Sequence, residues 1–516
     1  MVLRHSLGRP LPGRHPSGSS GLRSWLVVLI ATTLALTLAA CGSRIDPNTV
    51  ASVNGQPVAG SGAAAPGADG LADGTLPDDT LADDGALDPG APGDVGGADP
   101  GAGAGAGDSG DAASGGGGGQ GSGGSGGGAP AAGGGKAASC DGFKNGPGIT
   151  DDKITIANVS DISGPVPGLF ESTQDAVRAY IAFFNSTSDI CGRKLALETY
   201  DSRTDAGADQ QGYVAACSKA FAAVGSMSAF DSGGAATAQN CGLPDLRSAM
   251  VTKVRGDCTT CYSAQGVNAR QFENAVPDFI LKNYGDAGKN AALLYLNAGA
   301  AAENAKTQRD AMTKRGMVFK YFQPIDVAEF NYAPYVQQLK DKGIKYVQFI
   351  GAYAQAVRLA QAMAQQSFKP TVYMLDPAAY DKKYVTTGGS AVEGTVLFMN
   401  FVPFEEASTN KEMQTYLQWL RQVKPGADPD FFGVFAWSAA RLFVERSLAL
   451  GGQLNRQTLL AEFKKVNNWT ANGLHSKQPV GAKTMSECWR FLRLKGGKWV
   501  PEGSRQYSCS GVTTVG

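Results

Sequence analysis

From residue 153 to residue 398 the apolar positions switch repeatedly between a period of two and a period near 3.6. Residues 153–159 alternate apolar and polar, which predicts a half-buried strand. Residues 172–185 place Ala176, Ile181 and Phe184 on one side, which predicts a helix. The unit recurs as strand 194–200 with helix 207–221, then as strand 224–230 with a helix starting at Ser232-Gly233-Gly234. After an expected helix at 272–284 the alternation restarts. Strands at 291–296, 318–322, 346–350, 371–375 and 394–398 are interleaved with helices at 301–315, 332–342 and 354–366. Such alternation implies parallel sheets covered by helices, and two series of it imply an α/β protein of two wound parallel-sheet lobes. Ligands of wound sheets lie beyond the C-terminal strand ends, where loops and helix N-termini converge.

The chain upstream of residue 140 follows neither period. Arg4, Arg9, Arg14 and Arg23 precede an apolar run at 25–40, the charge and hydropathy order of a secretory signal peptide. That run is shorter than the ~20 residues a spanning helix needs. It ends in Leu38-Ala39-Ala40-Cys41, which resembles the lipobox of bacterial lipoproteins and implies a lipidated Cys41 after removal of 1–40. The plainer alternative is an ordinary cleavage site beside a chance cysteine. Residues 41–139 are almost wholly Gly, Ala, Pro, Ser and Asp, without an aromatic side chain, so they cannot bury enough surface to fold. They read as a disordered tether with a mean reach of roughly 55 Å. Glycine strings at 101–107 and 121–128 imitate phosphate loops, but no strand precedes them and no helix follows.

Composition changes this picture in two respects. The whole chain is formally neutral, and because the signal peptide is basic and the tether acidic, the remainder carries a modest positive excess. The excess is not gathered into a basic run, so nucleic acid is not an expected partner. Beyond Cys41 there are eight cysteines, and an even number in an exported chain argues for disulfides. The local pairing is Cys488 with Cys509, Cys258 with Cys261, Cys217 with Cys241, and Cys140 with Cys191; spacing alone does not prove it. Cys258-Thr-Thr-Cys261 could also be a redox pair or half of a zinc site. A second such pair is missing, however, and His475 is the sole histidine after residue 40, so no metal or other cofactor is expected.

Catalytic signatures are absent from 140–516: there is no Gly-x-Ser-x-Gly, no His-Glu-x-x-His and no Walker loop. His475 reads as part of a polar loop without a nearby nucleophile. The chain is therefore expected not to be an enzyme.

The order of short segments carries more. A strand at 153–159 leads to Ser163-Gly164-Pro165, then a helix to Cys191-Gly192-Arg193-Lys194-Leu195. Asp201-Ser202, Ala298-Gly299, Gly351-Ala352-Tyr353 and Val392-Glu393-Gly394 follow in turn. This series resembles the Leu/Ile/Val-binding branch of the type I periplasmic binding proteins over about 149–500. The resemblance implies two lobes joined by a three-crossover hinge, lobe one from 140–276 plus 404–480 and lobe two from 277–403 plus 481–516. It implies a receptor that closes over a small polar ligand, an amino acid or related molecule, and presents it to an ABC permease. A ligand-sensing or adhesion lipoprotein of the same fold is the alternative. The resemblance places ligand contacts at Phe170, Asp231, Ser232, Gly233, Ser248, Tyr353 and Asp376. An anionic ligand group would sit at the Ser232 helix start and a cationic one at Asp376. Lys253 and Arg255, and the small residues at 298–302, depart from the family pattern and argue against a branched-chain amino acid.

Overall fold

The computed structural model describes residues 138–516. The expected signal peptide, Cys41 and nearly all of the tether lie outside the described residues.

β1 (Lys153–Ser160), β2 (Lys194–Asp201), β3 (Ala222–Val224), β4 (Asp245–Arg247) and β5 (Cys261–Ser263) form an all-parallel sheet in the order β2-β1-β3-β4-β5. The chain then makes β6 (Gln271–Glu273) before entering a second sheet. There β7 (Ala291–Leu296), β8 (Phe319–Ile325), β9 (Tyr346–Ile350), β10 (Val372–Leu375) and β11 (Val396–Met399) run parallel. β12 (Cys488–Lys495) and β13 (Lys498–Pro501) join antiparallel, in the order β13-β12-β11-β10-β9-β7-β8. Every residue of β7 and β9 is buried, as a strand covered on both faces requires. β14 (Ser508–Cys509) pairs with β12, and β15 (Val512–Thr514) returns to pair with β6.

The strand order reverses beside β1 in the first sheet and beside β7 in the second, which opens a crevice at each C-terminal edge. Between β11 and β12 the chain goes back to the first sheet, where the helices Lys411–Val423 and Phe431–Leu450 pack on the helix Glu171–Thr187. The two sheets are thus linked by three passes of chain: before β7, after β11 and before β12. The helix Phe431–Leu450 is buried at fourteen of its twenty residues, so it has no solvent face to pattern. Its Trp437 is fully buried, edge-on to Tyr180 at 4.8 Å and stacked on Phe183 at 5.8 Å. Among the described residues no helix is long and apolar enough to cross a membrane.

All four expected disulfides are present: Cys140–Cys191, Cys217–Cys241, Cys258–Cys261 and Cys488–Cys509. Two expected elements differ. The strand placed at 224–230 lies instead at Ala222–Val224, sharing only Val224, because Gly225 turns with φ +70°. A Cβ there would come within 2.5 Å of Val177, so only glycine lets the strand end settle on its covering helix. The helix placed at 272–284 begins only at Ala275, since Phe272 and Glu273 are held by Thr513 and Val512 across the β6–β15 pair. That partner lies about 240 residues away, beyond the reach of any local pattern.

Candidate functional site

The C-terminal ends of the two sheets face each other across a cleft of about 160 Å³. The first sheet's side contributes Met227, Ala249, Val251, Gln265 and Val267. The second contributes Asp376, Pro377, Ala378 and Phe398, with Asn304, Thr307 and Gln308 from the helix Ala300–Lys314. Asn268, Gln271, Phe272 and Glu273 at and before β6, Phe431 and Phe432 at the start of the long helix, and Met485 and Trp489 complete it. The lining is mainly apolar and aromatic; Phe398 meets Phe272 at 5.9 Å and Trp489 at 5.5 Å, both edge to face. Its charged members are Glu273 and Asp376, and no Lys, Arg or His is among the described residues that line it. The rims touch: Ala300 N donates to Ala229 O at 3.0 Å and Lys253 N to Glu303 Oε1 at 3.2 Å. Gly299 makes the first contact possible, because a Cβ there would lie 2.6 Å from Ala229 O.

Of the seven residues singled out as ligand contacts, Asp376 lines the cleft. It follows β10, caps the turn after it by accepting from Ala378 N at 2.9 Å, and is raised to about 6 by desolvation. Phe170 lies behind the lining, packed edge-on to Phe432 at 4.6 Å and clustered with Met227 and Ala249. Ser248 is buried and donates to Phe432 O at 2.9 Å. Asp231 is fully buried and accepts from Val251 N at 2.9 Å and Thr252 Oγ1 at 2.5 Å, which fastens the loop that supplies Val251. Ser232 and Gly233 are half-buried and outside the lining. A Cβ on Gly233 would fall 1.9 Å from Ala206 O, so this glycine serves close packing. The helix that follows spans only Ala235–Asn240, and its Gly234 N already donates to the Asp209 carboxylate at 2.8 Å. An anion there would meet a resident one. Tyr353, half-buried, starts the helix Tyr353–Gln365 outside the lining.

Arg255 does not approach the cleft. It is wholly buried, bound to Asp209 at 2.9 Å and to Asp245 at 3.0 Å, and stands 4.4 Å from the Tyr213 ring centre. Arg247 joins the cluster at 3.6 Å from Asp245 and contacts the Tyr213 hydroxyl. Lys253 by contrast is half exposed. His475, expected in a polar loop, is buried instead. Its Nε2 is 2.8 Å from Ser438 Oγ, its Nδ1 is 2.9 Å from Ser476 O, and desolvation lowers it to about 4. Ser438 also accepts from Trp469 Nε1 at 2.8 Å in the middle of the long helix. The pair resembles a Ser–His couple only in distance: no carboxylate orients the ring, and neither residue lines the cleft. Among the described residues no group of three or more His, Cys, Asp or Glu could hold a metal ion.

Sequence reasoning missed Glu273, Phe398, Phe432 and Trp489. Glu273 is fully buried, its carboxyl receives a hydrogen bond from no other described residue, and burial raises it well above the usual carboxyl range. Nothing local in Gln271-Phe272-Glu273-Asn274 signals this, since the run reads equally well as the first turn of a helix.

This architecture and its interlobe cleft define a type I periplasmic binding protein fold. A sequence profile of the periplasmic binding protein family matches residues 153–498, and the chain belongs to that family. A search of curated proteins finds no match. Among solved structures it is similar to a leucine-binding protein of Thermotoga maritima. That likeness has 14% identity and a TM-score of 0.58, covering 68% of this chain and 98% of that one. A fatty acid ABC transporter substrate-binding protein of Thermomonospora curvata shows 17% identity and a TM-score of 0.61, with coverages of 72% and 97%. A solute-binding protein of R. palustris solved with 4-hydroxybenzoate shows 13% identity and a TM-score of 0.59, with coverages of 70% and 98%. At these identities the likeness speaks to fold.

Proposed function

We propose that the chain is an extracytoplasmic, lipid-anchored solute-binding protein that captures a small molecule between its lobes and passes it to an ABC importer. The observation that carries the reading is the cleft itself: it lies at the C-terminal edges of both sheets and is closed at its rims by Ala300–Ala229 and Lys253–Glu303 contacts. Export and anchoring rest on the basic, apolar leader and its Leu-Ala-Ala-Cys41 ending. An importer as partner rests on the fold's likeness to ABC transporter substrate-binding proteins.

The test is a thermal-shift screen of amino acids, amines, carboxylates and small aromatics against the mature protein and its Ala378→Trp variant. Ala378 is half-exposed at the cleft wall, so the indole fills the cleft without entering a core. A true ligand at 100 times its dissociation constant stabilises the native state by about 2.7 kcal/mol, and the variant is expected to lose that response. Stabilisation that persists in Ala378→Trp would place binding elsewhere. Silence across the whole screen would remove the solute-binding reading.

A further inference from the structure

We propose that Glu273 is the recognition residue at the floor of the cleft and that, together with Asp376, it selects a small apolar or aromatic molecule carrying an ammonium group. The inference rests on the solute-binding reading above and narrows it to a ligand class.

The first observation is an unpartnered carboxyl. Glu273 lines the cleft, is fully buried, and receives a hydrogen bond at its carboxyl from no other described residue. Isolated buried carboxylates are costly, and native structures pair nearly all such groups. Its neighbours are committed elsewhere. The Gln271 side chain accepts from Met485 N and donates to Thr514 Oγ1; that of Asn274 donates to Ser510 O and accepts from Thr513 Oγ1. The nearby Tyr346 hydroxyl donates to Gln348, and the Gln348 amide donates to Gln308. These bonds also hold β6 rigid, so Glu273 cannot easily turn away to find solvent.

The second observation is the company it keeps. Asp376 is the other charged lining residue, close enough for its charge to oppose ionisation of Glu273, and no cation lines the cleft among the described residues. Burial and the nearness of Asp376 oppose ionisation of Glu273, and an anionic ligand would oppose it further, whereas a bound cation would favour it. An ammonium offers three donors and one positive charge, which can serve both carboxyls and relieve their mutual repulsion. The remaining walls accept the body of such a molecule: Phe398, Trp489 and Phe432 supply an aromatic lining. The cleft of about 160 Å³ sets the scale at one ring, since a dry cavity of about 150 Å³ takes up benzene.

The experiment is calorimetry on the mature protein with three probes of equal shape and different charge: benzylamine, benzyl alcohol and benzoate. Wild type, Glu273→Gln and Asp376→Asn are compared, their folding checked by circular dichroism and thermal melting. Benzylamine is expected to bind more tightly than the other two. Glu273→Gln is expected to lose about ten- to a hundredfold of that affinity, the size of one charge-assisted hydrogen bond, and Asp376→Asn a smaller share. Equal or tighter binding of benzoate or benzyl alcohol overturns the ammonium assignment while leaving a solute-binding cleft in place. Unchanged benzylamine affinity in a folded Glu273→Gln overturns the role of Glu273. If none of the three binds while a compound of the wider screen without an ammonium group does, the ammonium assignment falls and the solute-binding reading stands; if nothing in either set binds, both fall.

Discussion

Two groups of acids, the second of which includes the half-buried Asp376, are built in different ways. Asp209, Asp231 and Asp245 are fully buried, yet Arg247 and Arg255 lie among them, and the Tyr213 hydroxyl donates to Asp245 at 3.0 Å. Glu273 and Asp376 share the cleft with no cation among its described lining residues. The first group spends its charge inside the protein: Asp231 holds Val251 N and Thr252 Oγ1, and Asp209 holds Gly234 N. In the second, Asp376 accepts from Ala378 N of its own turn, and no other described residue pairs with the Glu273 carboxyl. Burial alone therefore does not mark a functional carboxyl; burial without compensation does.

Removing one cation from the compensated group gives the largest expected effect. Arg255→Met strips Asp209 of its direct partner and leaves Asp245 with Arg247 alone, at 3.6 Å. Breaking a buried pair from one side typically costs about 3–5 kcal/mol, and urea unfolding should show a loss in that range. A variant as stable as wild type would mean that water already reaches the cluster, and the contrast between the two groups would collapse.

The cleft group predicts a pH dependence of stability. Burial raises Asp376 from the ordinary 3.8 to about 6, so the folded state holds this proton more tightly than the unfolded state does. Stability contributed this way is complete below about pH 4 and is lost as pH rises through about 6, at most about 3 kcal/mol for two units of difference, and less where solvent reaches the group. Glu273 is raised as well and acts in the same direction. Asp376→Asn should match the ligand-free wild type at pH 4 and exceed it at pH 8, measured by denaturant melts across that range. A constant difference between the two proteins would show that Asp376 is already compensated.

The smallest effect belongs to Ser248. The Ser248 hydroxyl is turned to Phe432 O, away from the cleft, so Ser248→Ala is expected to cost about 1 kcal/mol of stability. Its benzylamine affinity should stay close to that of wild type. A large loss of affinity with unchanged stability would return Ser248 to the list of direct ligand contacts.

Much of the fold was legible because its signals are local. The period-two run at 153–159 and the apolar runs at 291–296 and 346–350 became β1, β7 and β9, and cysteines near in sequence pair across adjoining loops and strands. β4 and β5 were not anticipated, each being only three residues long and too short to display a period. The helix Phe431–Leu450 hid for the opposite reason: apolar on nearly every side, it carries no face for a pattern to show.

The site divides along the same line. Asp376 was carried over from the family resemblance, and it lines the cleft because it follows a buried strand of a wound sheet at its C-terminal end. Asp231 stands in a comparable place, and only the folded chain shows that its oxygens are taken by Val251 and Thr252, with Arg247 beyond. Glu273 was invisible until β15 arrived to hold β6 as a strand, turning a residue read as helical into an unpartnered acid on the cleft floor. The chain alone indicated most of the wound elements, a set of cysteines able to pair locally, and the edge of the sheets where a ligand is expected. The tertiary structure decided which acids are compensated there, since compensation depends on partners that no periodicity along the chain records.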